Sequence, residues 1–492
     1  MSRRSAALLF VLAACRTVPA NFNDRISFDH DDYVYDAQLS ADAQRFAFTS
    51  LGQKNYSLTL CSREAKTCAP EVTVNGYEFD VESLAWAPDA SWVATASRDG
   101  VARLFDAAGA AKAAWLSEEK LTAVAVHPSG HAIAIGSEHG LVTLLSLDGT
   151  GLHFADEKRL HGDEVRALAF SDDGRLFTAG WDKTVHVLAS GLSTVKPGTA
   201  RVHAERSGGT ASIRAVVQGK ASLPLALDGR VHATLVLKPG VAQSVGIEVL
   251  ALKDTVNLPT ALGTTVGRVA HDVTLSFKAL TLEHVDAVVC DACVPEGAEG
   301  ALGDGFTEAV EVAFDEVTHE AVLTLKAAAA PERELLQLEE LSKFELKGYV
   351  NDLSLDRTGA KMALALSESK AQRNMQVYQR EKRGEVEPER EWDAAVIADT
   401  ATGKVLQTFH GHRGVVSTAA LSPDGSRVVS GGWDHKLVFH ASGASVELGA
   451  LIRKVRFSKD GNWLSVAAWT PRKAESASPS AFVMPAKEPA AR

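Results

Sequence analysis

The sequence predicts an all-β protein built of repeated four-stranded sheets, with a second all-β unit let into the series. Three observations carry this. A short turn signal rich in Ser, Asp, Pro and Gly recurs after an apolar strand along most of the chain. Successive signals lie 47, 40, 44, 185, 66 and 36 residues apart. Most of these spacings suit the roughly 40–45 residues of one four-stranded propeller blade or exceed it by a loop, and one is wider by a whole domain. Each signal stands between alternating strands, such as Val165-Arg-Ala-Leu-Ala-Phe170 before one and Trp92-Val-Ala-Thr-Ala-Ser97 after another.

Composition sets the outer bounds. The chain has 492 residues, 46% hydrophobic and 23% charged, with a formal net charge of −11. That is an ordinary globular balance, which excludes a mainly disordered or fibrous chain. The acidic excess argues against a nucleic-acid binder, which needs a basic face. No apolar run reaches the roughly 20 residues of a membrane-spanning helix.

Taken in order, Arg3 and Arg4 precede a short apolar run over Ala6–Ala14, the pattern of a secretory signal. The run ends in Leu12-Ala13-Ala14-Cys15, which resembles the lipobox of bacterial lipoproteins. The resemblance implies a signal peptide over 1–14, a lipid on Cys15 and a lipidated linker over 15–24. Arg16 stands where a retention signal would place Asp, so the resemblance also implies an outer-membrane lipoprotein facing the periplasm. The other cysteines form two close pairs, Cys61 with Cys68 and Cys290 with Cys293, as an oxidising compartment favours. Cys290-Asp-Ala-Cys293 could also serve a metal or redox centre. No second CxxC supplies further ligands, so a small structural disulfide is the reading preferred and no metal is expected.

The turn signals begin at Ser40, Ala87, His127, Ser171, Asp356, Ser422 and Ser458 and number the blades one to seven. Blades one to four occupy 25–204 and blades five to seven 345–485, with a linker over 329–344 and a disordered tail over 486–492. A propeller needs its ring closed, because open sheet edges invite mispairing. Arg25-Ile-Ser-Phe28 is placed to complete blade seven. Asp29-His-Asp-Asp32 matches no calcium loop and reads as a solvated loop. The mixed-charge run Lys370–Glu391 reads as a solvated excursion of blade five.

At Ala94-Thr-Ala-Ser-Arg-Asp-Gly-Val-Ala-Arg-Leu-Phe-Asp106 the chain resembles the WD-repeat β-propellers. Blade four adds His161, Thr178 and Asp182, and blade six His412, Ser430 and Asp434. The resemblance implies that these residues form a buried hydrogen-bond network in each blade. The family's fourth member, Trp, is replaced by Leu188 and His440, so both networks are expected to be incomplete. Trp181, Trp433 and Trp469 fall at one position in blades four, six and seven, just after the second strand. They read either as blade packing or as anchors for a partner.

The insertion, residues 205–328, reads as a further all-β unit. Ser222–Gly229 and Val231–Leu237 are expected to form a hairpin at Asp228-Gly229. Val273–Phe277, Ala287–Val289, Glu311–Phe314 and Ala321–Leu325 continue the strands. The order, with Gly300-Ala-Leu-Gly303 and Asp304-Gly-Phe306 near its end, resembles the retropepsin-like aspartic proteases, a pepsin-type β-barrel lobe. Where that family carries Asp-Thr-Gly, this chain has Lys238, Pro239 and Gly240. Aspartic proteolysis needs two carboxylates sharing a proton. An ammonium cannot accept the proton of the attacking water, and Pro239 removes both a hydroxyl and a backbone donor. Asp228 and Asp304 read as turn residues.

No nucleophile elbow, zinc-protease helix or phosphate loop occurs elsewhere. The expectation is a membrane-anchored, non-enzymatic scaffold for a protein or peptide partner in the cell envelope. It needs no cofactor and binds no nucleic acid. An aspartic-type peptidase and a small-ligand-binding propeller are the alternatives.

Overall fold

The computed structural model describes residues 26–28, 33–51, 56–63, 72–195, 198–207, 210–260, 263–315, 319–326, 333–368, 393–469 and 481–486. Cys15, Cys68, Asp29–Asp32, the Lys370–Glu391 run and the last six residues lie outside them. Among the described residues no helix is long and apolar enough to cross a membrane.

Seven separate four-stranded antiparallel sheets form the blades. Their first strands are Tyr33–Leu39, Val81–Trp86, Leu121–Val126, Val165–Phe170, Tyr349–Leu355, Val416–Leu421 and Leu451–Phe457. Each touches the first strand of the next blade, and the last touches the first, so these strands line a closed central channel. The ring is fastened by the N-terminal strand Ile26–Phe28, which pairs antiparallel with Ala481–Pro485 and becomes the fourth strand of blade seven. Ala486, assigned to a disordered tail by composition, is buried and its N–H donates to Asn462 O at 2.7 Å.

The turn between the first and second strands uses one device in several blades. Its opening hydroxyl, Ser40, Ser171, Ser422 or Ser458, donates to the carboxylate two residues on. The carboxylates of Asp42, Asp424 and Asp460 accept a backbone N–H of the following turn. The fourth position is left-handed in every blade: Gly130, Gly174, Gly359, Gly425 and Gly461 hold it, and so do Ala43 at φ 54° and Ala90 at φ 60°. A Cβ in that region costs roughly 1 kcal/mol. Ala43→Gly and Ala90→Gly are therefore expected to stabilise the chain by about 0.5–1 kcal/mol each, the reverse of the usual penalty for glycine. Urea unfolding measures this, and a lower midpoint in both variants would show that the buried methyls matter more than the strain.

The insertion leaves and re-enters the propeller inside blade four. The third strand of that blade, Thr184–Val195, pairs along its whole length with Arg333–Glu345. Residues 333–345 are thus the outer strand of blade four, not a linker, and the two strands continue outward as a ribbon. Blade three braces this ribbon: Gln337 Nε2 donates to Ala155 O and Leu338 N–H to Asp156 Oδ2, both at 2.8 Å.

The insertion itself begins with Thr199–Ser207 and closes six strands into a barrel. The strands Thr210–Val217, Ala221–Leu227, Gly300–Leu302, Leu235–Leu237, Leu280–Val289 and Gly263–Phe277 follow one another round the ring, and the last returns to the first. Phe277 and Phe306 meet in its core with centroids 5.4 Å apart. The hairpin expected between Ser222 and Leu237 does not form a ladder, because Gly300–Leu302 lies between its two arms. Gly300 makes this possible: a Cβ there would lie 2.8 Å from the Leu225 side chain and from Val236 O.

Lys278, at a turn of the barrel, fixes the insertion against the propeller. Its Nζ lies 2.5 Å from Glu157 of blade three and 3.9 Å from Glu118, which follows the outer strand of blade two. The insertion is therefore docked on the flank of the ring.

Candidate functional site: the central channel and its mouths

All seven inner strands carry a register irregularity at the same place, where one residue is left out of the ladder. The extra residues are Tyr35, Glu82, Thr122, Arg166, Asn351, Ser417 and Arg453. A bulge re-aims its side chain and frees its backbone. Three of these side chains stitch the ring. Thr122 Oγ1 donates to Val165 O at 2.6 Å, Asn351 Nδ2 to Val416 O at 2.9 Å and Ser417 Oγ to Ile452 O at 2.5 Å, each reaching the next blade. The other four sit at the channel mouth on the face that carries the turns after the second strands.

At that mouth charge crosses the channel in a chain. Arg453 meets Glu82 at 3.4 Å, Glu82 meets Arg98 at 2.8 Å, Arg98 meets Glu164 at 2.9 Å, and Glu164 pairs with Arg166. Burial would raise the Glu82 pKa, but Arg453 and Arg98 outweigh it and hold the carboxyl at about 2. Arg453 also lies over the rings of Tyr33 and Tyr35, at 5.3 and 5.6 Å. Tyr33 in turn touches Trp469, with centroids 5.1 Å apart. Tyr35 donates its hydroxyl to Asp80 at 2.5 Å, and the neighbouring Phe79 is 51% exposed.

The three tryptophans part company here. Trp181 is only 4% exposed; its Nε1 donates to Asn351 at 3.1 Å and Arg166 stacks on its ring at 4.7 Å. It packs blade four against blade five and has no surface for a partner. Trp433 and Trp469 are partly exposed at the mouth.

The blade networks are present at the residues named from sequence. In blade four His161 Nδ1 meets Asp182 at 2.9 Å and Nε2 meets Thr178 at 2.8 Å. In blade six His412 Nδ1 meets Asp434 at 2.9 Å and Nε2 meets Ser430 at 2.7 Å. Both carboxylates also accept a backbone N–H, from Gly162 and Arg413. A carboxylate only accepts, so each Nδ1 carries the proton and each Nε2 takes the hydroxyl hydrogen. The expected gap in blade six is filled: His440 Nε2 lies 2.7 Å from Ser430 Oγ and completes the relay. Burial, then His412, lowers the His440 pKa to about 3, so the ring stays neutral. In blade four His186 stands edge-on to His161 at 4.7 Å. His161, Asp182 and His186 are close enough together to suggest a cation site. Yet both nitrogens of each ring are already hydrogen-bonded, to Asp182 and Thr178 and to Glu340 and Thr184, so the cluster serves the fold.

The family comparison agrees with this geometry. Residues 68–106, 157–187 and 403–440 match the family described as WD domain, G-beta repeat. The chain carries WD40 repeats. Its matched stretches at 157–187 and 403–440 run from the outer strand of one blade through three strands of the next, the same offset that lets an N-terminal strand close the ring. No curated protein matches the chain.

In the insertion, Lys238 follows the buried strand Leu235–Leu237 and precedes the helix Pro239–Ser244, whose first turn takes the proline readily. Asp228 is held by Arg230 at 2.7 and 2.8 Å. Asp304 accepts from His232 Nδ1 at 2.6 Å and opens the helix Asp304–Ala309. Cys290 and Cys293 form a disulfide. Cys61 is disulfide-bonded as well.

The bulge ring went unread in the sequence, although a signal for it exists. The second or third residue of every inner strand, directly after a Val, Leu or Ile, is polar or Tyr where a buried strand would be apolar.

Proposed function

We propose that this protein is a non-enzymatic scaffold that engages a protein partner through the mouth carrying Arg453, Tyr33, Trp433, Trp469 and Phe79. WD40 propellers commonly bind protein partners. The supporting observation is the concentration of partly exposed aromatic rings and an arginine around one end of the channel. Such side chains are typical anchors, because they bury much area around a fixed charge. The inserted barrel is a degenerate retropepsin-like lobe. Its strand order and closing Gly-rich element support that ancestry, and an ammonium in place of the catalytic carboxylate supports the loss of activity. The lipobox-like Leu12–Cys15 supports export and attachment to the bacterial outer membrane through a lipid on Cys15.

The test is photo-crosslinking in the native envelope from Phe79, Trp433 and Trp469, each replaced singly by a photoreactive analogue. One protein is expected to be captured from at least two positions, and Trp433→Ala or Trp469→Ala is expected to weaken its binding by about 2 kcal/mol. Thermal melts run alongside separate this from a packing defect. No shared partner from any of the three positions, or acid-optimum proteolysis by purified protein, would contradict the reading.

A further inference from the structure

We propose that the opposite mouth of the channel is a binding site for a small anion bearing a carboxylate or phosphate group. The cavity there holds about 280 Å³ and is lined from all seven blades. Lys454 and Arg456 reach into its wall. Arg456 is committed: both terminal nitrogens hold Asp352, at 2.6 and 2.7 Å. Lys454 has donors to spare. The Lys454 ammonium has three donors and gives one, to Asp352 Oδ1 at 2.8 Å. An unused donor on a buried ammonium is costly, and a ligand oxygen would satisfy it.

The acids of the cavity are not in the same condition. Asp36 already accepts the N–H groups of Ala37 at 2.8 Å and Leu84 at 3.0 Å. Burial pushes its carboxyl pKa up despite Arg456 and Lys454, and the same burial pulls the Lys454 ammonium down. Asp356 is taken up by its own turn, accepting from Thr358 Oγ1 at 2.8 Å and Lys361 N at 3.0 Å. Asp172 is exposed at the rim, as are Arg357 and Lys459. Unspent donors are therefore cationic and the buried acceptors are satisfied, an asymmetry that selects an anion over a cation. The volume suits a molecule the size of a dicarboxylate or sugar phosphate.

The experiment is calorimetric titration of the full chain at fixed ionic strength with inorganic phosphate, with succinate and, as a cation control, with spermidine. One saturable site per chain is expected for at least one anion and none for spermidine. Arg357→Glu and Lys459→Glu, both on the exposed rim, are expected to leave the fold intact and weaken binding together by about tenfold. Lys454→Met, which leaves Asp352 its bidentate Arg456, is expected to weaken it further, with near-ultraviolet dichroism reporting its fold; if that variant misfolds, the rim reversals decide alone. The assignment is overturned if neither anion shows a saturable site, if spermidine binds equally well, or if anion binding survives the rim reversals and a folded Lys454→Met undiminished.

Discussion

Replacing Asp352 by Ala is expected to destabilise the propeller by about 3–5 kcal/mol, the cost of stranding buried charge. Its carboxylate is fully buried and holds Arg456 bidentately, Lys454 at 2.8 Å and the Thr418 hydroxyl at 2.5 Å. Those partners come from blades six and seven, so one side chain of blade five ties three blades across the channel. Burial would raise the Asp352 pKa, but Arg456 and Lys454 outweigh it and hold the carboxyl well below the usual range. Removal leaves two cations in the wall without their hydrogen-bonded counter-charge and with only Asp36 to offset them. Asp352→Asn should lose much of the same stability while keeping the shape. Combining Asp352→Leu with Lys454→Met and Arg456→Met should recover most of the loss, because an apolar cluster needs no desolvated charge. Urea unfolding midpoints measure all three. A loss under about 1 kcal/mol for Asp352→Ala would mean that water screens the channel as it does a surface pair.

Stability should also fall as the pH rises through neutrality, and Glu118 is the group responsible. Glu118 and Glu157 share the single ammonium of Lys278, which is much closer to Glu157. Burial, opposed by Lys278 and reinforced by Glu157, raises the Glu118 pKa to about 7; Arg214 and Glu119 also face it, and Glu320 faces Lys278. The folded value lies above the ordinary carboxylate value of about 4.3, so folding takes up a proton. The contribution is complete below that ordinary value and is lost as pH climbs through about 7. At about 1.4 kcal/mol per pKa unit, the swing is on the order of 3 kcal/mol. It falls on the contact between barrel and ring. Melting temperatures from pH 5 to pH 8.5 should decline in the wild type and decline less in Glu118→Gln. Equal slopes in the two proteins would assign the effect to another group.

Much of the ring is legible in the chain because a blade is a local object. Its strands alternate, its turns carry Ser, Asp and Gly, and its consecutive strands pair with each other. The closing strand Ile26–Phe28 was legible too, since an unpaired blade edge must be covered. The His161 and His412 networks could be named from spacing, as each joins residues of one blade. Reading failed where pairing is not local. Residues 333–345 looked like a linker because their partner strand lies across the whole insertion. The Ser222–Leu237 hairpin looked complete because the strand that separates its arms comes from Gly300–Leu302, far along the chain.

The amino-acid sequence by itself determined the number of blades and the way the ring closes, both consequences of period-two strands and turn chemistry; it placed the interruption after blade four, and only the pairing of Arg333–Glu345 with Thr184–Val195 moves it inside that blade. Only the tertiary structure decided which polar residues do what. Trp181, Trp433 and Trp469 occupy one repeat position, yet Trp181 is covered by Asn351 of the next blade while the other two remain partly open. Tyr35, Glu82, Thr122, Arg166, Asn351, Ser417 and Arg453 likewise share a position and divide between stitching the ring and forming its mouth. The reason is that a side chain's energy in a closed ring depends on what the neighbouring blades place opposite it. Those neighbours are set by the fold, and no local pattern records them.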